Sequence, residues 1–143
     1  MKKTKGIKMK ISANKNVRGI TMKANKKKIY GYTRVSTGLQ DLKNQKLGIH
    51  ELAHKHNWNV HFIEETVSGK VSYKERRLGK LISVLKKDDI LIVSELSRLG
   101  RSMVEIMTLL CELSTNGVKV YAVKGGYEIN NSIQSKILTM VLC

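Results

Sequence analysis

The 143-residue chain has no proline, one phenylalanine, one tryptophan and two cysteines. Without proline or internal repeats, its elements are punctuated by glycine and polar clusters and read from periodicity. Cys111 and Cys143 lie far apart with no metal-ligand spacing, and they read as a buried and a terminal thiol. No apolar run approaches the roughly 18–20 residues of a membrane-spanning helix. The basic N-terminus is not followed by an apolar stretch, so there is no secretory signal pattern and the expected location is the cytoplasm. Acid is also scarce, with 11 Asp and Glu against 27 Lys and Arg and a net charge of +16. Residues 1–28 hold ten lysines and Arg18 with no acid, so they carry +11 of that charge. A balance of this kind points to a polyanion, most often nucleic acid. The competing reading is a solvated lysine tail on a near-neutral domain.

What is present is 41% apolar residues, enough for one domain with a single core. Residues 1–27 lack sustained periodicity and read as a disordered basic arm. Met22, seven residues before the first apolar run, is an alternative start. From residue 28 the pattern is that of a folded domain. "IYGYTRVS" reads as a strand and "LQDLKNQKLGIHELAHKH" as a helix. In that helix Leu42, Ile49, Leu52, Ala53 and His56 fall in a stripe roughly 80° wide. "WNVHFIEE" reads as a second strand, "SGKVS" as a glycine-containing loop and "RRLGKLISVLKK" as a second helix. "DDILIVSEL" is the continuous apolar run of a central parallel strand. "SMVEIMTLLCELSTN" is helical, with Asn116-Gly117 as its stop. "VKVYAV" is a fourth strand, and "SIQSKILTMVLC" starts a further helix. The alternation predicts an α/β domain with a mostly parallel sheet of four to five strands flanked by helices. In such folds sites gather at the carboxyl ends of strands. Three stretches fall there: Arg34–Ser36, Glu64–Ser68 and Ser97–Arg101.

Arg34 and Ser36 are two apart in an extended segment, so both side chains project to one face. By itself Ser36 is most simply the cap of the helix opening near Gly38–Leu39. A hydroxyl is a weak nucleophile toward an anionic phosphodiester. Arginines that neutralise the phosphate and stabilise the pentacoordinate transition state could make it competent without a histidine. "ELSRLGRS" supplies Arg98 and Arg101, three apart where a strand runs into a helix. In a first helical turn both guanidiniums would project to one side, where two planar forks suit a phosphate. The alternative is a pair of surface arginines. Glu65 and Asp89, at the two ends of strands, are acids that could position such arginines. Arg76 and Arg77 open the helix after the glycine loop. "HELAH", residues 50–54, matches the H-E-x-x-H zinc pattern literally, with His50 and His54 on one helical face and Glu51 between them. Neighbouring Lys46 and Lys55 oppose a dication and no third ligand has recognisable spacing, so a solvated helix flank is the better reading.

"YTRVSTGLQ" followed about sixty residues later by "ELSRLGRS" resembles the catalytic domain of the serine site-specific recombinases, the resolvase and DNA-invertase family. The resemblance covers residues 28–143. "VSGKVSYKERRLGKLI" and "NNSIQSKILTMVL" look most like the DNA invertases of Bacteroides-type bacteria. It implies that Ser36 attacks the scissile phosphate to give a 5′-phosphoserine linkage, with Arg34, Arg98 and Arg101 gripping that phosphate. Arg76 matches the family arginine after the glycine loop, with Arg77 as the alternative. Gln40, Glu65 and Asp89 match supporting polar positions. The resemblance further implies double-stranded DNA as partner, a dimer that assembles into a synaptic tetramer, a nucleoid-associated location, and no cofactor or metal. Ser97 stands where many members carry aspartate. The family continues past this point with a long helix and a helix-turn-helix domain, so the chain reads as a catalytic domain without its DNA reader. Two other functions follow from other features: a truncated product that dimerises or binds DNA weakly without cutting, and a zinc metalloprotease through residues 50–54.

Overall fold

The computed structural model describes residues 26–130. The first strand, β1 (Ile29–Val35), is rich in the β-branched and aromatic residues that suit a pleated surface. It is followed by α1 (Leu39–Lys55), β2 (His61–Thr66), a 3₁₀ turn at Tyr73–Glu75 and α2 (Arg77–Val84). Then come β3 (Ile90–Val93), a 3₁₀ turn at Leu96–Leu99, α3 (Met103–Thr115), β4 (Lys119–Ala122) and β5 (Tyr127–Ile129). The sheet order is β2-β1-β3-β4-β5. The first four strands pair in parallel, and β5 is antiparallel to β4. This is the mostly parallel α/β sheet expected from the sequence.

The period of two along each strand divides the core. Tyr32, Leu91, Val93, Val120 and Ala122 face α2 and α3, where Leu78, Leu81, Leu109, Leu110 and Leu113 complete a cluster. Ile29, Ile90 and Ile92 face the other way, onto Ile49 and Ala53 of α1. β3 is buried at all four residues because it is central and covered on both faces.

Several expectations need correction. The stripe of α1 is Gln45, Ile49 and Ala53, with Leu42 and Leu52 half-buried. His56 is exposed, because α1 ends at Lys55 and the chain turns through Asn57 at φ 59. His56 instead stacks on Trp58, with ring centroids 4.1 Å apart. β2 starts at His61 rather than Trp58. β5 follows two successive glycines in the left-handed region, Gly125 at φ 90 and Gly126 at φ 64, where a Cβ would be strained. The further helix expected at residues 132–143, and residues 1–25 of the basic arm, lie outside the described residues. Lys26, Lys27 and Lys28, which precede β1, are exposed.

Candidate active site

The carboxyl edges of β1 and β3 bring the candidate residues together. In the parallel register Tyr32 lies opposite Val93, and Arg34 lies opposite Glu65 of β2. Beyond Tyr32 the chain of β3 leaves the sheet, so β1 runs on to Val35 without a strand partner on that side.

Ser36 is exposed and does not cap α1. The capping position is Gly38, at φ 91, and no side-chain cap bond is present. The capping role is therefore not taken by this serine, which lies exposed directly after β1.

Arg34 is buried, 9% exposed, and its Nη1 donates to Val67 O at 2.9 Å. Its guanidinium lies against Gly69: a Cβ there would sit 3.2 Å from Nη2. Arg76 reaches the same loop. It is 3% exposed, its Nε donates to Val71 O at 3.0 Å, and its Nη2 donates to Gly69 O at 3.3 Å. Its Nη1 donates to Arg98 O at 2.8 Å and to Tyr32 Oη at 3.4 Å. Burial, followed by the positive charges of Arg76 and Arg98, lowers the pKa of Arg34. Among the described residues, Arg34 Nε and Arg98 Nε are buried without a hydrogen-bond partner. Three guanidinium charges thus sit together, an electrostatic setting suited to an oxyanion such as phosphate. Arg77, by contrast, is exposed, and its Nη1 reaches Glu64 O at 3.4 Å.

Arg98 and Arg101 do not share a first helical turn. Arg98 lies in the 3₁₀ turn at Leu96–Leu99, Gly100 is fully extended, and α3 starts only at Met103 after its cap, Ser102. Arg98 Nη2 is 3.3 Å from Asp41 Oδ2 on α1 and 4.0 Å from Glu95 Oε2. The Arg101 side chain is 56% exposed, with Nε 3.7 Å from Glu105 Oε1.

The supporting positions divide. Glu65 accepts from Tyr32 Oη at 2.7 Å and also from the backbone N–H of Arg77. Its neighbour Glu64 pairs with Lys46 of α1. Gln40 is exposed in the first turn of α1. Asp89 is not at this edge. It precedes β3 at the amino end of the sheet, where it accepts from the backbone N–H groups of Lys28 and Lys86, each at 2.9 Å. A residue before a parallel strand and one after it stand at opposite edges, so Asp89 ties down strand starts there.

Two further residues belong to the site. Gln45, 3% exposed, accepts from Arg34 N–H at 3.2 Å and donates to Arg34 O at 3.0 Å and Asp41 Oδ2 at 2.9 Å. Its spacing of four and eight residues from Ile49 and Ala53 is a legible signal: a polar side chain on the buried stripe. Glu105 joins the glycine loop to Arg101; the S-x-x-E spacing from Ser102 marks it as a capping-box residue, but its contacts to Ser72 and Tyr73 are far apart in sequence.

The zinc pattern is not assembled. His50 rests against the Phe62 ring, with centroids 4.8 Å apart, and His54 is exposed. Among the described residues no group of three His, Cys, Asp or Glu side chains could hold a metal ion. Nor is any helix among them long and apolar enough to cross a membrane.

The candidate site is thus an arginine-rich carboxyl edge followed by an exposed serine, on a mostly parallel α/β sheet. The family model described as Resolvase, N terminal domain, matches residues 29–142, and the chain belongs to that family. It is 33% identical over 102 residues to the transposon Tn552 resolvase of Staphylococcus aureus, covering 71% of this chain and 49% of that protein. It is 29% identical over 116 residues to the serine recombinase PinR of Escherichia coli strain K12, covering 80% and 59%. The chain thus spans about half the length of the curated relatives it matches. The solved N-terminal catalytic domain of TP901-1 integrase shares the fold, with a TM-score of 0.66 at 24% identity over 81% of this chain and 91% of that one.

Proposed function

We propose that this chain is the catalytic domain of a serine site-specific recombinase, cutting and rejoining double-stranded DNA through a 5′-phosphoserine intermediate. The observation that carries the reading is Ser36: exposed, relieved of any capping role, and directly after the strand that holds the buried Arg34. The resolvase and serine recombinase names of its relatives support the same chemistry. In this reading Ser36 Oγ attacks the scissile phosphorus. The Ser–O–P bond forms, the bond from phosphorus to the 3′-oxygen breaks, and the hydroxyl proton ends on that 3′-oxygen. Arg34 and Arg98 bring their positive charges to the phosphate oxygens, and the exposed Arg101 adds a third from the solvent side. Arg76 holds the glycine loop and Arg98 in place, and Glu65 holds Tyr32 beneath them. Gln40 supports the segment after Ser36. Reversal by a new 3′-hydroxyl restores the diester, so the ester conserves the energy of the broken bond. Strand exchange takes place between dimers paired in a synaptic tetramer.

The test is trapping on nicked suicide duplexes that tile the DNA flanking the gene. A covalent adduct is expected, with the nucleotide on Ser36 in the tryptic peptide VSTGLQDLK, and Ser36→Ala abolishes it. Adduct formation by the alanine variant, or a nucleotide carried by another residue, rules the assignment out.

A further inference from the structure

Glu105 lies in the first turn of α3, and its carboxylate accepts three hydrogen bonds from two separate stretches of chain. Oε1 accepts from Ser72 Oγ at 2.6 Å, and Oε2 accepts from the backbone N–H of Arg101 at 2.9 Å and of Tyr73 at 3.3 Å. Its own N–H donates to the capping hydroxyl of Ser102 at 3.1 Å. This is a capping-box arrangement in which the glutamate reaches one residue beyond the cap, to Arg101. Gly100 leaves the path open, since a Cβ there would sit 3.0 Å from Oε2. Burial alone raises the Glu105 pKa; the hydrogen bonds from Ser72, Arg101 and Tyr73 and the charge of Arg101 outweigh it and hold the carboxyl below its ordinary value.

The stretches that meet here carry the arginines of the candidate site. Tyr73 stands three residues before Arg76, whose Nη1 in turn donates to the carbonyl of Arg98. Arg101 touches the carboxylate through its backbone and lies near it through its side chain. We propose that Glu105 is a positioning residue that holds the loop bearing Arg76 in register with Arg101, so that the guanidiniums meet one phosphate. This rests on the strand-cleavage reading for its purpose, but not for its geometry. A glutamine can reproduce much of the clip, its carbonyl accepting from the two amides and its NH₂ donating to Ser72. An alanine cannot.

The test compares the full chain with Glu105→Ala and Glu105→Gln. In the alanine variant, amide exchange at Tyr73 and Arg101 is expected to accelerate about tenfold or more, with Leu109 and Leu113 unchanged. Adduct formation on suicide duplexes slows by a similar factor while affinity for nonspecific duplex holds, and glutamine restores most of both. Should Glu105→Ala melt the domain, Ser72→Ala and Gly100→Ala remove or displace one contact each and are read in the same way. Unchanged exchange overturns the proposal, as does faster exchange with undiminished adduct formation. A wild-type chain that forms no adduct on any duplex sinks the strand-cleavage reading instead, and exchange at Tyr73 and Arg101 still decides whether Glu105 holds the two segments.

Discussion

Gln45 takes both backbone hydrogen bonds of Arg34, accepting from its N–H at 3.2 Å and donating to its carbonyl at 3.0 Å. It stands where a sheet neighbour would otherwise be, because β3 has ended opposite Tyr32. The second N–H of Gln45 goes to Asp41, and Asp41 pairs with Arg98. A polar chain thus runs from the backbone of β1 to the guanidinium of Arg98. Gln45→Ala leaves a buried N–H and a buried carbonyl unpaired, each costing about 1–3 kcal/mol. The expected loss in urea unfolding is about 2–4 kcal/mol, together with slower DNA adduct formation. A loss under about 1 kcal/mol means that water serves Arg34 as well as Gln45 does.

Arg76 and Arg77 are adjacent in sequence and opposite in circumstance. Arg76 is buried and serves Val71, Gly69, Arg98 and Tyr32, while Arg77 is exposed at the start of α2. A lysine has no planar fork to reach four separate acceptors. Arg76→Lys is therefore expected to cost about 2–4 kcal/mol and to suppress adduct formation. Arg77→Ala should shift stability by no more than about 0.5 kcal/mol and leave cutting near wild type. Equal effects of the two changes would remove the distinction.

Much of this arrangement is legible in the sequence, and the misses have physical causes. The apolar run at residues 90–93 marks a strand covered on both faces, and the alternation of strand and helix gives the mostly parallel sheet. Gln45 is readable as a polar residue in phase with Ile49 and Ala53, but no local pattern names its partner, the backbone of Arg34. β5 is three residues long and is marked by Gly125-Gly126 rather than by its own composition. The spacing of Ser102 and Glu105 announces a capping box, but the contacts of Glu105 to Ser72 and Tyr73 about 30 residues away are encoded by no local pattern. The pairing of Arg98 with Arg101 on one helical turn failed because Gly100 is extended and Ser102 delays the start of α3.

Asp89 tests the boundary of the site. It clamps the backbone of Lys28 and Lys86 at the amino edge of the sheet, away from Ser36. Asp89→Ala leaves two backbone donors without their acceptor and should cost about 2 kcal/mol in urea unfolding. Adduct formation, measured well below the melting temperature, should be unchanged. A large fall in cutting by a folded Asp89→Ala would return this residue to the site.

Tyr32 is fully buried, with its hydroxyl donating to Glu65 and accepting from Arg76. Burial and the Glu65 carboxylate raise its pKa above the usual 10.0, against a smaller opposing pull from Arg76. The neutral phenol is thus the form the fold selects. Its stabilisation is complete below pH 10.0, the unfolded value, and declines as pH rises above it, because only the unfolded chain then gains from ionising. Tyr73 is shifted in the same direction, and Tyr121 is pushed up to about 12, first by burial and then by Glu128. Wild-type stability should therefore fall steeply in strong base, and Tyr32→Phe should remove one share of that fall. At neutral pH the phenylalanine costs about 1–3 kcal/mol, because Glu65 loses a buried donor. By about pH 11 the gap between the two proteins should narrow by about 1.4 kcal/mol, the free energy of one group held one unit above its unfolded pKa. Urea unfolding at the two pH values reads both numbers. A gap that stays constant would mean that Tyr32 ionises in the folded protein as readily as in the unfolded chain, and that its bond to Glu65 does not hold in solution.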